Sequence, residues 1–247
     1  MENKKKILIT GTSSGIGKAL AENFLNDGAE VHGISRTNTI SHLNYSHYSI
    51  DLNDQNKILS LKEKLNETKY DTFIHNAGIH GPIGRFEDCN LEEWFGAFQI
   101  NLFSGITLLQ MILKNLVDSK GCVIFIAGGG SANSMKNFSS YSCSKTSIVR
   151  FCENIAEEYQ NIRCHCVSPG PNKTKLLEEA INNGVTVDDS RIVNFNYTFN
   201  LCSFLINNNS YNLSGRQIHV KDDYNLINSS KLSNDEYKLR RFINAKN

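Results

Sequence analysis

Tyr141 and Lys145 stand four residues apart, a spacing that puts both side chains on one face of a helix. A phenol is a weak acid, with a pKa near 10 in water, and a neighbouring ammonium stabilises its anion electrostatically. Such a pair can hand a proton to an alkoxide or accept one from an alcohol. Tyr/Lys pairs also decorate ordinary helix surfaces, so this one takes its meaning from a second feature near the N-terminus. There Thr10-Gly11-Thr12-Ser13-Ser14-Gly15-Ile16-Gly17 follows the apolar run Ile7 to Ile9 and opens an amphipathic segment. Glycines suit a turn whose backbone bends sharply or approaches a ligand closely. The helix start beyond them offers unpaired N–H groups and a positive dipole end to a pyrophosphate.

Short β-branched runs alternate with longer amphipathic ones along the whole chain. Strands are expected over Lys6 to Thr10, Glu30 to Ile34, His47 to Ile50, Thr72 to His75, Cys122 to Ile126, Ile162 to Val167 and Gln217 to Val220. Helices are expected over Gly15 to Asp27, Gln55 to Asn66, Leu91 to Leu116, Tyr141 to Tyr159 and Ser190 to Leu205. Parallel neighbours need a crossover, so the alternation predicts an α/β Rossmann fold, a doubly wound parallel sheet of about seven strands with helices on both faces. No repeat or linker divides residues 1–247, which reads as one domain. The stretch from Pro171 to Asp189 is the least regular and reads as a mobile lid. The polar tail from about residue 224 ends in Tyr237-Lys238-Leu239-Arg240-Arg241-Phe242.

The spacing T-G-x-x-x-G-x-G resembles the glycine motif of the short-chain dehydrogenase/reductase family. His75-Asn76-Ala77-Gly78 is similar to that family's N-N-A-G segment, and Asn101 to its helix asparagine. Tyr141-Ser142-Cys143-Ser144-Lys145 is similar to its Y-x-x-x-K signature. Ser168-Pro169-Gly170 with Thr174 resembles its P-G-x-x-x-T segment, so the likeness runs from residue 6 to about residue 174. The resemblance implies an oxidoreductase that interconverts a secondary alcohol and a ketone, with Tyr141 as acid/base. It implies that Lys145 also binds the nicotinamide ribose and that Asn101 holds a water in the proton relay. Further cofactor contacts are implied at Gly11, Ser13, Ser14, Gly15, Ile16, Gly17, Asp51, Leu52, Asn76, Ala77, Gly78, Pro169, Gly170 and Thr174. Asp51 reads equally as the cap of a helix beginning near Asn53. At the end of the second strand no acid is present to hold ribose hydroxyls. Ser35, Arg36 and Thr37 stand there instead, and a guanidinium fork suits a 2′-phosphate. NADP(H) is therefore the expected cofactor, with NAD(H) as the alternative.

One position departs from the family pattern. The serine expected thirteen residues before the tyrosine is Gly128. Losing a donor to the substrate oxygen costs roughly a hundredfold unless something replaces it. Gly128, Gly129 and Ser131 are the candidates for the substrate side, through backbone N–H groups, a hydroxyl or vacated space for a sugar or nucleotide-sugar. The competing reading is a dinucleotide-binding protein of weak turnover, acting in regulation or scaffolding.

Composition narrows the remaining possibilities. The 247 residues carry 26 Lys+Arg against 25 Asp+Glu, a net charge of +1, with 40% hydrophobic and 21% charged residues. That balance describes a globular chain and lacks the electrostatic footprint of a nucleic-acid or polybasic membrane binder. The apolar stretch Leu102 to Leu113 is too short to cross a bilayer. Seven cysteines without a C-x-x-C pair read as free thiols of a reducing, cytoplasmic setting, and no metal site is expected. Apolar stripes Phe98, Leu102, Ile106, Leu109 and Leu113, and Ile148, Phe151, Cys152, Ile155 and Tyr159, lie on successive helices. The family pairs these helices, so a homodimer or homotetramer acting on a small-molecule substrate is expected.

Overall fold

The computed structural model describes residues 4–240. Seven strands, β1 (Lys6–Thr10), β2 (Glu30–Ser35), β3 (Tyr45–Ser49), β4 (Thr72–His75), β5 (Cys122–Ile126), β6 (Arg163–Ser168) and β7 (Gln217–His219), form one sheet. Its order is β3-β2-β1-β4-β5-β6-β7 and every pairing is parallel. The order reverses between β1 and β4, and the crevice at such a reversal is where a doubly wound sheet receives its ligand. The fold is the α/β doubly wound architecture expected.

Alternation along the strands divides the core. Ile7, Ile9, Ile74, Ile124 and Ile126 face α1 (Gly15–Asn26) and α8 (Phe195–Asn207). Leu8, Phe73, Val123 and Phe125 face α2 (Gln55–Leu59), α3 (Lys62–Glu67), α5 (Ser104–Asp118) and α6 (Ser139–Glu158). Both faces are covered, which explains why the strands read as nearly continuous apolar runs.

β3 begins at Tyr45 rather than His47 and α8 at Phe195 rather than Ser190, and four further elements differ from the sequence reading. The segment expected as one helix from Gln55 breaks at Ser60 and Leu61 into α2 and α3. The long helix is α4 (Leu91–Phe98) joined to α5 by a π-helical turn, Gln99–Phe103. The region expected to be irregular carries α7 (Lys175–Asn182), capped by the Thr174 hydroxyl accepting from the Leu177 amide at 3.2 Å. The polar tail forms α9 (Tyr224–Ser229). It then lies along α6, where Arg150 and Arg240 both reach the buried Glu153 carboxylate at 2.6 Å. Arg241 and Phe242 lie outside the described residues.

The helical run Leu91–Asp118 exceeds the apolar stretch marked in the sequence. Its 28 residues, with an 18-residue window of mean hydropathy 1.4, are enough, by length and composition, to cross a membrane. The fold uses it as a core helix instead, burying Leu102, Leu108, Leu109, Ile112 and Leu116 against the sheet. Leu102 and Leu109, like Ile148, Cys152 and Ile155, are core residues, and Phe98, Ile106, Leu113, Phe151 and Tyr159 are half-buried around them.

Candidate active site

The turn after β1 is built by glycines and locked by a threonine. Gly11 and Gly15 adopt φ of +75° and +56°, a region that side chains with a Cβ avoid. Gly17 is required by closeness rather than conformation, since a Cβ there would lie 2.3 Å from both the Gly11 carbonyl oxygen and Asn76 Nδ2. The Thr10 hydroxyl accepts from the amides of Asn76 and Ala77 at 3.0 and 3.1 Å. Asn76 Nδ2 donates to the Thr10 carbonyl at 3.2 Å. Asn76 and Ala77 thus join the ends of β1 and β4 under the turn. Ser14, the N-cap of α1, makes no side-chain capping bond, which leaves the helix start free to donate to an anion. Thr174 stands over this turn, 3.2 Å from a Cβ built on Gly15. The Asn172 amide closes the Pro169–Gly170 bend by donating to both carbonyls, at 2.8 and 3.0 Å.

At the end of β2 the three predicted residues separate. Ser35 is buried, bonded to the Thr37 carbonyl at 2.9 Å and to His47 Nε2 at 3.0 Å. Its hydroxyl is engaged inside the fold, where a phosphate contact was expected. Arg36 and Thr37 are exposed. Asp51 does not cap α2; its carboxylate accepts from the Asn53 amide at 3.0 Å, and Asp54 is the cap. Leu52 is buried, leaving only its backbone to meet a ligand.

Tyr141 and Lys145 project from the first turns of α6. Two bonds hold that end of the helix against α4: Trp94 Nε1 donates to Ser139 Oγ at 3.0 Å, and Ser140 Oγ donates to the Trp94 carbonyl at 2.9 Å. Lys145 is buried and Nζ donates to the Ile126 carbonyl at 2.8 Å. It passes beneath Gly78, where a Cβ would lie 3.2 Å from Nζ. Burial pushes this lysine down to about 8, against a slight opposing pull from Cys166. Tyr141 is 7% exposed, and burial pushes its phenol up to about 12. The acidified phenol expected from the neighbouring lysine is not what the fold alone produces. The ammonium lies 6.0 Å from the ring centroid, and removal of the phenolate from water outweighs its attraction.

Gly128 makes room for the tyrosine. A Cβ on Gly128 would lie 2.0 Å from Tyr141 Oη, so the phenol hydroxyl rests on bare backbone where the family serine would stand. Ser131 does not replace that serine. It is buried, donates to the Gly128 carbonyl at 2.7 Å and accepts from Gln217 Nε2 at 2.6 Å, turned towards β7. Gly129 remains exposed at the rim.

Asn101 sits buried in the π-helical turn, an insertion often found at functional sites. Its side-chain oxygen accepts from the Ile79 amide at 2.8 Å, and Nδ2 donates to the Ile79 carbonyl at 2.9 Å and to Ser144 Oγ at 2.8 Å. This side chain ties the loop after β4 to α6. The Asn101 carbonyl, 3.1 Å away, accepts from His75 Nε2. Because Thr10 Oγ1 already accepts two amides, its proton goes to His75 Nδ1, 3.0 Å distant, and this fixes the imidazole tautomer. Burial first, then repulsion by Lys145, lowers His75 to about 3.

Sequence reasoning assigned no role to His75, His80 or Glu179. His80 is 4% exposed, and its ring packs edge-on to Tyr141 and Phe138 with centroids 4.8 and 5.1 Å apart. Its position two residues beyond Asn76-Ala77-Gly78 was the one available signal. Around the phenol, Phe138 and Ala180 form an apolar cluster with Ile83, Met135, Leu176 and Val185. Among the described residues no group of His, Cys, Asp or Glu is arranged to hold a metal, and all seven cysteines are free thiols.

In sequence and fold the chain is similar to known proteins. Residues 5–184 match the family model for short chain dehydrogenase. An uncharacterized oxidoreductase of Bacillus subtilis, YvaG, is 32% identical over 191 residues, covering 72% of each chain. Benzil reductase ((S)-benzoin forming) of the same organism is 31% identical over 182 residues, 68% of this chain and 75% of its own. Benzil reductase IRC24 of Saccharomyces cerevisiae is 29% identical over 195 residues, 71% and 74% of the two chains. In fold, the chain superposes on Thermoplasma acidophilum aldohexose dehydrogenase with a TM-score of 0.79 at 23% identity, covering 95% of this chain and 98% of the other.

Two expectations follow. Lys145→Met will stabilise the cofactor-free protein by about 1–2 kcal/mol at pH 7, the desolvation cost of the ammonium less its lost hydrogen bond. Below pH 8 both folded and unfolded chains bind the lysine proton, and the fold bears the full cost. Between pH 8 and 10.5 the unfolded chain alone retains it, so wild-type stability rises relative to the variant; thermal melts across that range will show the gap closing. Gly128→Ser will lower kcat by about a hundredfold, because the phenol must move to admit the new Cβ; a gain in kcat in steady-state assays would contradict the packing described.

Proposed function

The chain belongs to the short-chain dehydrogenase/reductase family of oxidoreductases, and on that premise we propose that it reduces a ketone to a secondary alcohol with NADPH. The observation that carries this reading is the placing of Tyr141 and Lys145 at the C-terminal ends of β4 and β5, on the same edge of the sheet as a glycine turn with an open helix start. When bound, the dinucleotide supplies the hydride. Gly11 through Gly17, Gly78 and Thr174 would hold it, with Arg36 and Thr37 at the 2′-phosphate. Arg36 favours NADPH because the end of β2 carries no carboxylate to repel a phosphate.

The protein's own part in the reaction is protonic. Tyr141, with its pKa raised by burial, retains its proton at neutral pH and suits the role of donor to a developing alkoxide. Lys145, charged below pH 8, adds positive potential beside the phenol and would hold the cofactor ribose. The Thr10–His75–Asn101 chain, through Ser144, holds the helix that carries both groups.

The apolar cluster around Tyr141 favours a carbonyl flanked by hydrocarbon or aromatic groups. That the relatives include two benzil reductases supports the same choice. A sugar or nucleotide-sugar, suggested by the polar residues of the loops, fits this cluster less well. The second reading, dinucleotide binding with little turnover, draws support from Gly128 and the packed phenol. A homodimer or homotetramer is the assembly we favour, supported by the exposed Leu91, Phe95 and Phe103 on α4 and the π-turn.

NADPH oxidation against benzil, small ketones, steroids and aldohexoses tests the proposal. The expected result is turnover of an aromatic ketone that Tyr141→Phe lowers by at least about a hundredfold. Binding of NADPH without turnover of any carbonyl would leave the second reading. Arg36→Ala will weaken NADPH about tenfold or more and leave NADH nearly unchanged, as one charge-assisted phosphate contact requires; equal loss for both cofactors, measured by fluorescence titration, would refute the assignment at Arg36.

A further inference from the structure

The helix over the site is fastened to it at one polar point. Glu179 lies on the exposed side of α7, yet its Oε2 stands 2.7 Å from Nδ1 of the buried His80. Among the described residues this is the one side-chain hydrogen bond from α7 to a residue outside its own loop. It spans 99 positions of sequence, joining the lid to the loop after β4. The remaining attachment is apolar, with Ala180 and Leu176 against Phe138 and Tyr141. Burial keeps His80 below the usual imidazole range. In its neutral form a ring that donates from Nδ1 to the carboxylate has its orientation fixed by that one bond.

What the ring touches gives the tie its consequence. His80 meets Tyr141 edge to face at 4.8 Å. On the opposite side the phenol hydroxyl rests on Gly128, which supplies no side chain to hold it. The phenol is therefore positioned laterally by His80 and Phe138, and of these two only His80 is bonded to the lid.

We propose that Glu179 and His80 form a closure-dependent positioning device, in which docking of α7 fixes the imidazole and the imidazole in turn sets the Tyr141 ring for proton transfer. His80 is a positioning residue here, acting through the tyrosine. The proposal rests on the reductase reading for its catalytic half and on geometry alone for its lid half.

Three variants separate the tie from simple packing. His80→Phe keeps an aromatic ring against Tyr141 but cannot bond Glu179; Glu179→Ala removes the bond from the lid side; Glu179→Gln retains an acceptor of the same reach. Amide hydrogen exchange over residues 175–182 is measured on each protein, together with NADPH affinity and with kcat and KM for the carbonyl substrate. In His80→Phe and Glu179→Ala, exchange should quicken about tenfold, the yield of losing one charge-assisted bond. In the same two variants kcat should fall about tenfold to a hundredfold with NADPH affinity unchanged. Glu179→Gln should recover most of both losses. Full turnover by His80→Phe, or unaltered exchange in Glu179→Ala, would overturn the proposal. The exchange measurement needs no substrate, so a wild-type protein that reduced no carbonyl would sink the reductase reading while the lid tie was still decided on its own.

Discussion

An ammonium held almost out of water, with one carbonyl as its protein partner, is the constraint on which this site depends. Lys145 bonds Ile126 at 2.8 Å and has 3% of its surface exposed. A charge in that position is unfavourable for the fold, and neighbouring positions are adapted to it. A Cβ on Gly78 would fit tightly against Nζ, at 3.2 Å. His75, buried nearby, is held neutral partly by the same charge. The ammonium lies at the C-terminal ends of β4 and β5, beside Gly78 and the Ile126 carbonyl. Destabilisation of the fold and positive potential at the site are thus two effects of one buried charge.

A small set of hydroxyl and amide groups keeps the charge and the phenol in register. Thr10 Oγ1 receives two amides from the end of β4 and passes its own proton to His75. His75 donates to the Asn101 carbonyl, and the Asn101 side chain grips Ile79 and Ser144. The chain of bonds therefore runs from β1 through β4 and the π-turn to α6, one residue from Lys145. Each member is fully used, so the network gains geometric definition without leaving buried donors unmatched.

Much of this was legible in the residues. The strands, the sheet class, the glycine turn and the Tyr141/Lys145 helix follow from period, spacing and motif order, because each is a local pattern. The lid helix was missed because Lys175 to Asn182 is amphipathic for only two turns, bracketed by Pro171 and Gly184. The π-turn escaped because it continues the apolar spacing of α4 and α5 with one displaced register. Ser35 and Ser131 illustrate a different limit. Their residue type suits a ligand contact, but His47 and Gln217, distant in sequence, claim the hydroxyls. Whether a hydroxyl is spent internally is a tertiary fact with no local signature. The direction of the Tyr141 shift failed for the same reason, since the sequence displays the lysine but not the degree of burial.

Gly128 then acquires a physical meaning beyond the loss of a donor. A serine there would hydrogen-bond a substrate oxygen but would also occupy the place that Tyr141 Oη takes against the backbone. Seated on that backbone, the phenol is desolvated and holds its proton firmly. A firmly held proton disfavours abstraction from an alcohol and matches donation to an alkoxide, whose basicity far exceeds that of a phenolate. On the reading proposed above, glycine in that place suits reduction, in which the phenol gives up its proton. On that same reading, the absent serine leaves the placing of a substrate carbonyl to the apolar walls contributed by Phe138 and α7.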